Sequence, residues 1–371
     1  MKLTAKIKLL PTKQQAQLLL ATIKEANTAS NSLSDYAWES KIFRQFDLHR
    51  ERYYVLKDSF QLSSQMVVRV ISKVADSYKL DKETKRVFRL TGAVAYDSRI
   101  LTYDTAKTRP GRRAVSIWTK GGREKISYIG GQHNDRLLAY QKGESDLLYT
   151  KGKFFLLATC EIPDEDTHIP EDVLGIDLGI IQIATDSDGQ SFSGTGIEAN
   201  RQWYAKRRST LQSMGTKSAK RRLKKLSGKQ KAFQKHVNHV ISKQLVTKAK
   251  ASNRGIAIEE LLGISKQVRK EEKRLRRSQR SKHSNWSFNQ LRQFITYKSQ
   301  LYGVSVMLVD PRNTSRTCSV CSHCEKANRK SQAEFVCRSC GFHANADWNA
   351  SQNIKTLGYV NKPMVATPCG G

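Results

Sequence analysis

The chain has 371 residues, with 65 Lys and Arg against 33 Asp and Glu, a net charge of +32. That length supports two or three modest domains, and an excess of this size implies a polyanionic partner, nucleic acid above all. No stretch approaches eighteen consecutive apolar residues and the N-terminus lacks the pattern of a secretion signal, so neither a membrane span nor export is expected.

Residues 2–9 alternate apolar and polar side chains, with Leu3, Ala5, Ile7 and Leu9 on one face, the pattern of a strand. Pro11 and Thr12 then open a helical region through residue 42, with Ala16, Leu19, Leu20, Ile23 and Ala26 at helical spacing. A further helix is expected between Phe60 and Tyr78. From residue 86 the runs become short, β-branched and aromatic, separated by Gly, Pro, Asn and Asp. They read as antiparallel strands that residues 2–9 can join, with the helical block inserted between. An acidic linker is expected over 163–170.

Residues 174–189 read as two strands around a tight turn at Asp177–Gly179, with a third strand near 192–196. The segment 197–250 is helical in pattern, and its last fifty residues hold sixteen Lys and Arg with no acid. A buried strand at 254–261, a polar basic run at 266–283, an amphipathic helix from Trp286 to Gly303 and a strand at 304–311 follow. The cysteine segment comes next, then a helix from Asp347 to Leu357 and a tail, 358–371, expected to be disordered. Strand–strand–strand–helix–strand–helix–strand–helix is the order of an RNase H-like domain, within an α/β multidomain chain.

Two C-x-x-C pairs, Cys318/Cys321 and Cys337/Cys340, stand fifteen residues apart, which is zinc-ribbon spacing. Each pair offers two thiolates from one knuckle, and Gly341 suits the left-handed backbone of such turns. Arg312, Arg316, Arg329, Lys330 and Arg338 lower the cost of gathering thiolates. Ser322 stands where a glycine would mirror Gly341. Cys324 can compete as a ligand, and His323 and His343 are near. Four cysteine ligands leave no open position, so one structural Zn²⁺ is expected.

Three acids sit in unusual places. Asp177 lies inside LGIDLGI and Glu259 at the end of GIAIE, where an unpaired carboxylate is costly. Glu259 and Glu260 point to opposite faces if extended, so only one can face Asp177. Asp347 opens a helix, where capping is the ordinary explanation. Together the three fit a site for two Mg²⁺ ions and phosphodiester hydrolysis. Lys206, Arg207, Arg208, Arg221, Arg222, Lys224 and Lys225, with Lys220, recur at helical spacing as candidates for phosphate contact. Trp203, Tyr204 and Phe233 interleave with them; such rings can stack on bases, and core packing is the safer expectation.

The stretches GIDLGIIQIAT, IAIEEL, NTSRTCSVC and FVCRSCGFHANADWNASQNI resemble the TnpB family, transposon-encoded RNA-guided nucleases related to type V CRISPR effectors. The resemblance covers about 174–356. It implies a RuvC-type nuclease domain over 170–311 and 345–357, with the catalytic triad on Asp177, Glu259 and Asp347. It also implies a zinc ribbon over 312–344 held by Cys318, Cys321, Cys337 and Cys340. A β-barrel wedge domain over 1–11 and 86–165 with a helical recognition domain, 12–85, inserted is implied as well. The partners implied are a transposon-derived guide RNA and double-stranded target DNA beside a short flanking motif, with one or two protein copies on the RNA. The setting implied is the prokaryotic cytoplasm and its nucleoid. Asn345 and Ser351 depart from the family motif, which carries Asp and Ala there, but the last acid is in place. The alternatives are a guide-bound regulator that does not cut, an RNase H-fold transposase, whose Glu would come last in the chain, and a plain zinc-ribbon DNA-binding protein.

Overall fold

The computed structural model describes all residues except 105–112, 164, 166–169, 180, 261–287 and 362–371. The basic run at 266–283, Trp286 and most of the expected tail lie outside the described residues. The described chain divides into two compact units, residues 1–163 and 164–371.

The first unit joins a helical block to a seven-stranded antiparallel sheet. The sheet is built from β1 (Lys2–Leu9), β2 (Val94–Tyr96), β3 (Leu101–Asp104), β4 (Ala114–Thr119), β5 (Gly122–Ile129), β6 (Gln141–Thr150) and β7 (Lys153–Glu161), in the order β2-β6-β7-β1-β5-β4-β3. Strand β1 lies between β7 and β5, as its alternation anticipates, with Ile7 opposite Leu156. The edge strands β2 and β3 are consecutive in the chain, and the Tyr103 hydroxyl on β3 donates to Ser145 Oγ on β6 at 2.8 Å, so the sheet curls back on itself. Helix α1 (Lys13–Ser40) starts with a capping box between Thr12 and Gln15. It is followed by α2 (Gln45–Ser59) and α3 (Ser64–Leu80), and a short α4 (Gln132–Leu138), absent from the sequence reading, lies between β5 and β6. Helices and sheet share one core, which includes Leu19, Ile23 and Val70 with Ile7, Val115 and Leu156.

One expectation fails here. Residues 86–92 are not a strand but run along α1, where side chains take the place of a neighbouring strand. Asn31 pairs with both backbone groups of Phe88, Asn27 donates to the Leu90 and Gly92 carbonyls, and Ser34 donates to the Arg86 carbonyl. Three polar residues at helical spacing on a buried face thus satisfy the backbone of an extended segment.

The second unit carries a five-stranded sheet of β8 (Asp172–Asp177), β9 (Gln182–Asp186), β10 (Ser191–Ser193), β11 (Arg254–Glu259) and β12 (Val306–Val309), in the order β10-β9-β8-β11-β12. Strands β8, β11 and β12 are parallel, and β9 and β10 are antiparallel. Along the chain, strands and helices follow the sequence expected from the residues, three strands, helices, strand, helix, strand, helix. The helices are α5 (Thr195–Ser213), α6 (Lys217–Leu226), α7 (Lys229–Ala251), α8 (Phe288–Leu301) and α9 (Ala346–Val360).

Both faces of this sheet are covered, which explains why β8 and β11 read as continuous apolar runs. Leu174, Ile176, Ile256 and Ile258 share a core with Ile241, Leu245, Leu291 and Ile295 of α7 and α8. Val173 and Ala257, on the opposite face, pack with Ile354 of α9. Helix α9 approaches very closely: a Cβ on Gly175 would overlap the Ser351 carbonyl oxygen, and one on Gly358 would overlap Ala257. The helix continues to Val360, beyond the expected end at Leu357, and Gly358 is buried within it. At the far edge, Lys248 pairs with buried Asp186 at 2.5 Å and Arg254 with Asp188 at 2.6 Å, which pins the β9–β10 turn to α7 and β11. Among the described residues no helix is long and apolar enough to cross a membrane.

Gly175→Ala should lower the unfolding free energy of the protein by about 3 kcal/mol, because the obstruction is backbone that cannot rotate away. The urea midpoint, followed by circular dichroism, measures it.

Candidate functional site

Strands β8 and β11 run parallel and in register, Ile176 opposite Ile258, so Asp177 and Glu259 end neighbouring strands at the same sheet edge. In open α/β sheets this carboxyl edge is where ligands gather. The N-terminus of α9 reaches the same edge. Asn345 caps it, its Oδ1 accepting from the backbone of Asp347 and Trp348 at 3.0 and 3.1 Å. The residue that departs from the family motif therefore does the capping, and Asp347 is left with its carboxylate in the site. Ser351, the other departure, is buried and closes its hydroxyl on the Trp348 carbonyl at 2.7 Å.

The three acids feel one another. Burial, then the charges of Glu259 and Asp347, push Asp177 up to about 8. Burial also raises Glu259 and Asp347 above the usual carboxylate range. Arg329, whose guanidinium stands 3.2 Å from Asp347 Oδ1, opposes the rise in all three, and at Glu259 the Thr314 hydroxyl opposes it more. Glu260 is exposed, whereas Glu259 is partly buried and receives the Thr314 hydroxyl at 2.6 Å. This geometry selects Glu259 over its neighbour. The donor set, three oxygen-bearing acids with raised pKa values around a cation, suits hard divalent ions.

Arg329 is a correction to the sequence reading, which assigned it to the thiolates. Its guanidinium donates to Asp347 Oδ1 and to the carbonyls of Ser331 and Gln332, beside a buried Asn328 that donates to the carbonyls of Arg316 and His323 and accepts from Arg338 N. Thr314 was missed altogether. Its signal was its place in the stretch NTSRTCSVC, four residues before the first cysteine.

The four cysteines form two superimposable knuckles. Ser322 N donates to the Cys318 carbonyl and Gly341 N to the Cys337 carbonyl, while Cys318 N and Cys337 N donate to His323 and Phe342. Gly341 has φ +73° and Ser322 has φ 61°, so the serine adopts the left-handed turn that its glycine counterpart makes freely. The four Sγ atoms lie within 4.8 Å of one another, with Cys318–Cys340 at 3.8 Å and Cys321–Cys337 at 3.5 Å. A tetrahedron with Zn–S bonds of about 2.3 Å has edges of about 3.8 Å, so the group fits such an ion. Backbone amides aimed at Cys337, from Cys340 first, pull its thiol below the usual range. Cys324 is outside this group, bridged to Thr317, and His323 and His343 pair with Glu325 and Glu334.

The basic candidates Lys206, Arg207, Arg208, Arg221, Arg222, Lys224 and Lys225 are all exposed on α5 and α6. Trp203 on α5 is 57% exposed and Phe233 on α7 36%, against the expectation of core packing, because α5 buries little more than Ile197 and Leu211 and the buried residues of α7 begin only at Asn238.

Comparison with known proteins places these features. The family model described as "Probable transposase" matches residues 158–262, which hold Asp177 and Glu259. The model "Cas12f1-like, TNB domain" matches 288–354, which hold the cysteines and Asp347. The CRISPR-associated endodeoxyribonuclease Cas12f1 of Syntrophomonas palmitatica is 28% identical over 60% of this chain and 53% of its own length. The Cas12f1 of Sulfoacidibacillus thermotolerans is 25% identical over 86% and 83%. A TnpB-like protein of Methanocaldococcus jannaschii is 29% identical over 50% and 68%. Among solved structures, the mini-RNA-guided endonuclease CRISPR-Cas phi3 aligns over 99% of this chain and 94% of its own, with a TM-score of 0.60 and 10% identity, a likeness of fold.

Two outcomes follow from this geometry. Metal analysis of the purified protein should find one zinc per chain, retained by Cys324→Ser and lost by Cys337→Ser. In Mg²⁺-free buffer, folded Asp177 keeps a proton that the unfolded chain releases near 3.8, so stability falls as pH rises from about 4 to 8. Asp177→Asn should flatten that fall and raise the melting temperature at pH 8 above wild type, measured by thermal unfolding across pH. The resemblance of this chain to the TnpB family, first read from its motifs, is shown by these matches.

Proposed function

We propose that this protein is an RNA-guided DNA endonuclease that hydrolyses phosphodiester bonds with metal ions held by Asp177, Glu259 and Asp347. The observation that carries the reading is the meeting of three mutually repelling carboxylates at one sheet edge. A fold gains nothing in stability from that meeting, whereas a divalent-metal site requires it. Two Mg²⁺ ions bound there would activate a water and steady the leaving oxygen. The chain's own part is to hold the three carboxylates on rigid strand and helix ends and to keep the Arg329 guanidinium beside them, where it can also meet a phosphate oxygen. The names of the relatives, endodeoxyribonucleases and a TnpB-like protein, support the same activity.

The finer assignments belong to the same proposal. A transposon-derived guide RNA and double-stranded DNA are the partners, and sequence choice is delegated to base pairing. Residues 1–11 and 86–165 serve as the wedge and 12–85 as the recognition domain, reading the flanking motif. Residues 170–311 and 345–357 are the nuclease domain. The ribbon, 312–344, holds one structural Zn²⁺. Lys206, Arg207, Arg208, Arg221, Arg222, Lys224 and Lys225 follow the phosphates. The protein acts in the prokaryotic cytoplasm at the nucleoid, as one or two copies on the RNA. The order Asp, Glu, Asp along the chain disfavours the transposase alternative, and the complete set of acids disfavours a regulator that only binds.

Protein purified from cells should carry a structured RNA, and that RNA should direct Mg²⁺-dependent cleavage of matching DNA. Asp177→Ala should abolish cutting while RNA and target binding persist, read by gel cleavage and filter binding. Protein free of bound RNA, or wild-type cutting by the variant, overturns the proposal.

A further inference from the structure

Thr314 is 3% exposed, and its hydroxyl lies 2.6 Å from Glu259 Oε1 and 3.1 Å from the Pro311 carbonyl. A hydroxyl has one proton to donate, and an ionised carboxylate is the stronger acceptor; 2.6 Å is the length of such a charge-assisted bond. The strand fixes the Cα of Glu259, but three rotatable bonds separate that Cα from the carboxylate oxygens, so the strand alone does not aim them. Asp177 and Asp310 both push on its charge. Thr314 holds one of the two carboxylate oxygens, Oε1.

The turn that carries Thr314 is itself locked. Asn313 has φ 63°, and its carbonyl accepts from Arg316 N, Thr317 N and the Thr317 hydroxyl. Two asparagines one turn apart on α9 clasp the turn from the other side. Asn353 donates to the Thr314 and Thr317 carbonyls at 2.8 and 2.7 Å. Asn349 donates to the Thr317 carbonyl at 2.8 Å and accepts from Ser319 N at 3.0 Å. The same turn therefore touches the strand acid Glu259, the helix that begins with Asp347, and the first zinc knuckle at Cys318.

We propose that Thr314 is a positioning residue for metal binding: its hydroxyl fixes the Glu259 carboxylate, and the clasp from Asn349 and Asn353 keeps that bond in register with Asp347. This rests on the function proposed above, and it concerns how the acids are aimed rather than which they are. A hydrogen bond to a metal-ligating carboxylate commonly alters metal affinity by about 10- to 100-fold.

The test compares Thr314→Val, Thr314→Ser, Thr314→Ala and Glu259→Gln in the RNA-loaded protein. Mn²⁺ binding is read by electron paramagnetic resonance without DNA, and the Mg²⁺ concentration for half-maximal cleavage is read separately. The Val and Ala variants should bind Mn²⁺ about tenfold more weakly and need about tenfold more Mg²⁺, with a smaller loss of rate at saturating metal. Ser should return both readings close to wild type. Ser and Ala share the lost methyl and differ by one oxygen, so the comparison survives if Val fails to fold. Equal behaviour of Ser and Ala, or wild-type metal binding by Ala while Glu259→Gln loses it, overturns the inference. Wild-type Mn²⁺ binding and cutting by Glu259→Gln overturns the assignment of the acids, and this inference with it.

Discussion

Mutual repulsion among three carboxylates is the constraint around which the second unit is arranged. Asp177, Glu259 and Asp347 are each raised by burial, and Asp177 also by the charges of the other two. Such a group persists only if the backbone leaves it no freedom to separate. Two parallel strands in register hold the first two, and a helix seated on Gly175 and Gly358 holds the third. Gly175, two residues before Asp177, is where the backbone of that helix comes against the strand.

The cysteine ribbon acquires its meaning from the same constraint. A polar segment of about thirty residues has too little apolar surface to fold by itself; its own core consists of Cys318, Phe335, Cys337 and Ala346 with Phe342 against it. Four thiolates around one ion would close it from within. From that base it sends two groups to the acids, Arg329 to Asp347 and, through the preceding turn, Thr314 to Glu259. The ribbon is coupled to the three acids by these hydrogen bonds, while its four cysteines stand together apart from them.

Much of the fold was legible along the chain. Alternation at Leu3, Ala5, Ile7 and Leu9 marked β1, and a polar acid at the end of an apolar run marked Asp177 and Glu259. Residues 86–92 were misread because an extended segment bonded by Asn27, Asn31 and Ser34 has the same local composition as one bonded by a strand. Trp203 was misread because an aromatic residue at helical spacing does not reveal whether that face of the helix has a neighbour.

The sequence by itself determined the chemistry available: four cysteines at ribbon spacing, three acids at the ends of elements, and a basic excess suited to a polyanion. These are properties of residue type and local spacing. Only the tertiary structure decided that Glu259 rather than Glu260 faces the site, that Arg329 serves an acid rather than the thiolates, and that Cys324 stands apart from the other four. The first two of those outcomes depend on a partner 55 and 18 residues away along the chain, and the third on how the two knuckles close on each other. Local pattern carries no information on that, because the partner is brought near only when sheet, helix and ribbon have packed.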